Sequence, residues 1–76
     1  MIRELDTVVL AKDLKDYQLQ RGDVGAVVHV YEGGKAYEVE FVTGEGKTIA
    51  VTTLSKGDVR PMQHADILHV RSYAPA

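Results

Sequence analysis

Short apolar runs, cut by glycine-centred turns, give the chain its pattern. The first run is Leu5-Asp6-Thr7-Val8-Val9-Leu10. A polar stretch from Ala11 to Gln20 follows, with Leu14, Tyr17 and Leu19 as its apolar points, and reads as a long excursion. Arg21-Gly22-Asp23 turns the chain into Val24-Gly25-Ala26-Val27-Val28-His29-Val30-Tyr31, a run apolar on both faces. It predicts a strongly bent strand in which Gly25 permits the bend. Gly33-Gly34 supplies the positive φ of a hairpin turn. In Ala36-Tyr37-Glu38-Val39-Glu40-Phe41, period two sends Tyr37, Val39 and Phe41 inward and the glutamates into water. Thr48-Ile49-Ala50-Val51-Thr52-Thr53-Leu54 is the fourth strand, with Ile49 and Val51 expected in the core. Val59-Arg60-Pro61-Met62 is a short fifth strand ended by a proline that donates nothing to a ladder.

One six-residue pattern occurs twice. Leu19-Gln20-Arg21-Gly22-Asp23-Val24 matches Leu54-Ser55-Lys56-Gly57-Asp58-Val59. Each copy predicts a buried leucine, a polar turn closed by glycine, and a valine re-entering the core. The order of elements, a long loop, a bent strand, two tight hairpins, a short turn and a last strand, predicts an all-β fold. It is that of a small SH3-like barrel of about five strands over residues 1–62. Residues 63–76 form a C-terminal extension, read either as an extra strand or as a short helix. It is expected to pack on the barrel or on a second chain.

The composition narrows the function classes. A chain of 76 residues is one domain. It buries only about 60% of the surface its unfolded form exposes. There is no cysteine, which removes disulfides, thiolate metal sites and cysteine nucleophiles together. With no apolar run after the opening residues and none of membrane-spanning length, the expectation is a cytoplasmic protein with no membrane association. Nine basic and eleven acidic residues give a net charge of −2, without the basic stripe of a nucleic-acid binder.

Two stretches carry a resemblance: Leu19-x-x-Gly22-Asp23-x-Gly25-x-Val27-Val28-His29-Val30-Tyr31 and Ala36-Tyr37-Glu38-Val39-Glu40-Phe41. Together with Glu4 to Leu10 and Gly46 to Leu54 they resemble a family of short prokaryotic proteins known as a domain of unknown function, number four-nine-two-six. The resemblance covers residues 3 to about 61. It implies an SH3-like barrel with no assigned activity. It also implies a partner protein, since members are thought to be encoded beside other small proteins, some toxin-like. A looser likeness, at Gly25-Ala26-Val27, is to KOW-type modules that bind RNA or protein.

Chemistry is hard to place on these residues. His29, His64 and His69 do not share a face that would hold a metal. Ser55 and Ser72 have no companions in sequence that would activate a nucleophile. Glu38 and Glu40 read as a solvated sheet face that discourages wrong strand pairing. Gly44-x-Gly46-Lys47-Thr48 has neither the spacing nor the following helix of a phosphate loop. Neither catalysis nor a cofactor is expected. The expected function is binding of another protein, as the neutralising or adaptor half of a two-protein pair, with a KOW-like RNA-binding module as the alternative. Tyr17, in the long loop, and Tyr31, near a hairpin, are candidate contacts. Ile67, Leu68, Val70 and Tyr73 need cover, which predicts a homodimer formed through the C-terminal segment.

Overall fold

The computed structural model describes residues 1–73. Five strands form one antiparallel sheet: β1 (Thr7–Leu10), β2 (Val24–Val30), β3 (Ala36–Val42), β4 (Thr48–Ser55) and β5 (Val59–Pro61). Their order is β4-β3-β2-β1-β5. The molecule is thus a small all-β domain, and its strand order is compatible with an SH3-like barrel. The sheet is open: among the described residues no ladder joins its two edges, β4 and β5. The extra C-terminal strand or helix is not formed. Beyond a turn at His64-Ala65, residues 63–73 adopt neither; the rest of the 63–76 extension lies outside the described residues.

The duplicated turn explains why β1 lies between β2 and β5. In each copy the aspartate carboxylate accepts the N–H three residues earlier, Gln20 N–H to Asp23 Oδ2 at 2.8 Å and Ser55 N–H to Asp58 Oδ2 at 3.0 Å. This is one half of a capping box, which closes the turn without any longer-range support. The two aspartate carbonyls then accept from consecutive residues at the end of β1, Leu10 N–H to Asp23 and Ala11 N–H to Asp58, both at 2.8 Å. One turn feeds β2 along one side of β1, and the other feeds β5 along the opposite side. Leu19, Leu54 and Val59 are buried as the pattern predicts, and Val24 is half-buried.

Two bulges set which side chains reach the core. Pairing steps from Val27↔Val39 to His29↔Glu38, so Val28 is extra on β2 and is exposed, while Val30 turns back toward the core opposite Tyr37. A bulge of this kind bends the strand that carries it. Gly25 serves a different end: a Cβ there would lie 2.7 Å from Val39 Cγ1, 2.8 Å from Phe41 Cε1 and 3.0 Å from the Glu40 carbonyl oxygen. The glycine lets β2 approach the core side chains of β3. On β4, Leu54 pairs with Tyr37, Thr52 with Val39 and Ala50 with Phe41. Residues paired across a ladder share a face, so the inward set is Ala50, Thr52 and Leu54. Val51, opposite Glu40, is on the outside and 47% exposed. The expectation that Val51 is a core residue is corrected accordingly. Ile49 occupies the second bulge, between Phe41↔Ala50 and Val42↔Thr48, and is half-buried against the core.

Phe41 is the largest fully buried side chain. Phe41→Ala should cost about 3–5 kcal/mol, most of the stability of a domain holding roughly 5 kcal/mol. Val51→Ala should shift stability by no more than about 0.5 kcal/mol. Urea denaturation followed by circular dichroism separates the two. Similar midpoints for both variants would mean that the faces are assigned wrongly.

Candidate functional site

Most charged side chains of this domain are solvated. Among the described residues Asp23 is the only buried charged one, 8% exposed. Its backbone is fixed by the turn and by β1, so its carboxylate must find donors where it stands. It finds four. Oδ2 accepts from Gln20 N–H and from Arg71 Nη2. Oδ1 accepts from Arg71 Nε at 2.9 Å and lies 3.1 Å from His69 Nε2. That saturates a carboxylate. The guanidinium engages it through two parallel bonds, a geometry arginine supplies and lysine does not. The second Nη2 proton reaches the Gln18 carbonyl at 3.1 Å. Burial works to raise the Asp23 carboxyl, but the Arg71 guanidinium, the Gln20 N–H and the charge of Arg71 and His69 outweigh it. They hold the group below its ordinary value of 3.8.

Arg71 lies 48 residues from Asp23, so this pair straps the C-terminal segment over the long β1–β2 loop. Tyr73 adds a second anchor. Its hydroxyl donates to the Tyr17 carbonyl at 2.8 Å, and its ring packs against the core. Between tail and sheet lies a cleft of about 420 Å³, lined by Leu19, Phe41, Ile49, Arg71 and Tyr73 among others. The loop holds its own shape through a small hairpin, Leu14 and Leu19 exchanging backbone bonds of 2.8 and 3.1 Å, with Gln18 at φ 56°. The root of the tail is fixed by another aspartate turn, Gln63 N–H to Asp66 Oδ2 at 2.7 Å, and by Arg60 against the same carboxylate at 2.8 Å.

The candidate contact residues divide into three groups. Tyr17 and Tyr73 meet at the strap. Ile67, Leu68 and Val70 lie along it, 93%, 70% and 91% exposed. Tyr31 belongs to neither group. It stands at the β2–β3 hairpin, edge-on to His29, and donates to Glu38 at 3.2 Å. Glu38 also accepts from Thr53 and Glu40 from Thr48, so both are tied into the outer sheet face. Among the described residues no three His, Asp or Glu converge as a metal ion requires. Asp23, His69 and Arg71 were missed by sequence reasoning. The signal for Asp23 was the repeated turn, which places an aspartate beside a buried leucine twice; nothing near Arg71 in sequence marks it.

Because the Asp23 carboxyl is held low, the strap should contribute stability that is fully present above about pH 4, the unfolded value. It should be lost as pH falls through the lower folded value. Asp23→Asn should therefore melt below wild type at pH 7, and the gap should narrow on acidification toward pH 3. A gap independent of pH would show that the ionised form contributes nothing.

Among the described residues no helix is long and apolar enough to cross a membrane. No curated protein and no solved structure matches the chain. A family model does match, over residues 4–61, and it takes in every strand and the Asp23 turn while ending before the tail. By that match the chain belongs to the family described as a domain of unknown function, DUF4926.

Proposed function

We propose that the chain is a non-catalytic protein-binding module of the cytoplasm, the adaptor or neutralising half of a two-protein pair, and that its contact surface is the C-terminal segment. The observation that carries this reading is the run of Ile67, Leu68 and Val70, exposed on a backbone that is itself strapped down on both sides. Exposed apolar groups in a contiguous patch are a signature of an interaction surface. Anchoring by Arg71 and Tyr73 lowers the ordering cost of binding, because the segment is already held in one path. Tyr17, half-exposed beside Tyr73, extends the same surface with an aromatic ring, a residue type enriched where proteins meet. The net charge of −2 gives a partner no strong field to follow, so apolar complementarity is the expected source of affinity.

The test is capture from a lysate of the native host by the tagged full chain, set against the variant Val70→Asp. Wild type should retain one protein in stoichiometric amount, and the variant should lose it by at least about tenfold, as loss of a central contact does. Equal capture by both would place the contact elsewhere. Retention of RNA in place of protein, falling steeply with salt, would favour the KOW-like alternative.

A further inference from the structure

The sheet has two edges, and they are finished differently. β5 is three residues long, carries Arg60 and Pro61, and has the Asp66 turn bonded to Arg60 beside it. Short length, charge and proline are the usual means of keeping a strand edge from pairing. β4 has none of them: Thr48 to Ser55 is eight residues without a charge or a proline. The pairing also fixes which of its backbone groups face outward. Lys56 N–H donates to the Lys35 carbonyl, and Tyr31 N–H donates to Ala36 on the other side of β3. Residues of a strand bond alternately to its two neighbours, so Tyr37, Val39 and Phe41 bond to Leu54, Thr52 and Ala50. Val51 and Thr53 therefore point their N–H and C=O groups away from β3, and among the described residues no backbone bond from elsewhere meets them. Ser55, next in the same phase, has its N–H taken by Asp58.

Beside that edge stand two carboxylates without a cation. Glu38 accepts from Thr53 at 2.6 Å and Glu40 from Thr48 at 2.8 Å, so hydroxyls of β4 draw both toward its side of the sheet. Among the described residues no lysine or arginine bridges either one. Val51, opposite Glu40 on the same face, is exposed between them and the edge. A strand added alongside β4 would pair with Val51 and Thr53, and its residues opposite them would share the outer face. It would lie about 10 Å from β3, two strand spacings away. A lysine or arginine there lays its apolar stem across Val51 and brings its charge to the glutamates. We propose that the β4 edge takes an extended segment of a partner protein as a sixth strand, with basic residues at alternate positions facing Glu38 and Glu40. Backbone bonds give the attachment, and the two carboxylates give the selection. The β4 strand of a second copy brings no cation and leaves the glutamates unpaired. The surface is separate from the reading of the tail as a contact segment.

The probe is a short capped peptide alternating lysine and valine, and its control carries glutamate in place of lysine. Each is titrated into the full chain, with affinity and the amide hydrogen exchange of Val51 and Thr53 followed by NMR. The lysine peptide should slow exchange at both amides by at least about tenfold, and its affinity should fall as salt rises. Glu38→Gln/Glu40→Gln leaves the backbone edge intact and should weaken binding by roughly tenfold. Val70→Asp should leave binding unchanged, so this site and the tail surface stand or fall separately. Equal binding of both peptides, or an unchanged affinity in the double glutamine variant, would overturn the charge selection. Binding without protection of Val51 and Thr53 would place the peptide elsewhere and overturn the edge. No binding at millimolar peptide would overturn the proposal as a whole. So would amides already protected in the free chain by self-association, which would assign the edge to a second copy.

Discussion

A carboxylate has been taken out of water at Asp23, and the arrangement of the loop and the tail follows from that. Its position is not negotiable: the Asp23 carbonyl accepts from Leu10 and its carboxylate closes the turn that launches β2. A buried charge left with one donor would be strongly destabilising. Gln20 supplies one bond from within the turn, and the rest must come from elsewhere. Arg71 supplies two and His69 faces the same oxygen. The described part of the C-terminal segment, which forms neither helix nor strand, is held by this carboxylate and the Tyr17 carbonyl. Asp58, the aspartate of the second turn, shows what happens without that demand. It is more open to solvent, and Lys12 beside it at 3.2 Å is a surface ammonium, not a docked segment. One turn chemistry, used twice, builds a plain corner in one place and a socket in the other.

The hydrophobic pattern made the strands legible because each is bounded by a turn that glycine or aspartate closes locally. Tyr37, Val39 and Phe41 were readable as core from alternation alone. Alternation failed on β4. There the phase is set by which residues must oppose β3, and Leu54 and Ala50 opposite Tyr37 and Phe41 leave Val51 outside. A bulge adds one residue and inverts everything beyond it. Periodicity cannot locate one when, as at Val27-Val28 and Ile49-Ala50, every neighbouring residue is apolar. Gly25 was visible as an unusual glycine in a strand, but a bend and a close approach of backbone to core look the same in sequence. Only the 2.7 Å and 2.8 Å separations from the β3 side chains decide it.

The site was half legible for a related reason. Ile67, Leu68, Val70 and Tyr73 stood out as apolar residues beyond the last strand a small barrel needs, and Tyr17 as an aromatic in a polar loop. What joins Tyr17 to Tyr73 did not stand out, because the bond runs from a side chain to a backbone carbonyl 56 residues away. Arg71 is one of nine cations spread along the chain, and its bidentate pairing is created by the fold. Tyr31 shows the converse. As an aromatic near a hairpin it resembled Tyr17 in sequence, yet its partners are His29 and Glu38, and it is tied to the outer sheet face and not to the strap.

The extent of the family match bears on where function should be sought. The matched residues, 4–61, contain the socket but not the groups that fill it. The match therefore spans the sheet, the two aspartate turns and the long loop, and stops short of the tail. Among the described residues the one buried charge is thus completed from outside the matched stretch, by an arginine-bearing segment. Charge burial makes that position selective. A lysine would lose the two parallel bonds of the planar fork, and a neutral side chain would leave the carboxylate without a compensating charge. In this chain a guanidinium fills the Asp23 socket, and the segment that brings it also carries the exposed apolar residues beside it.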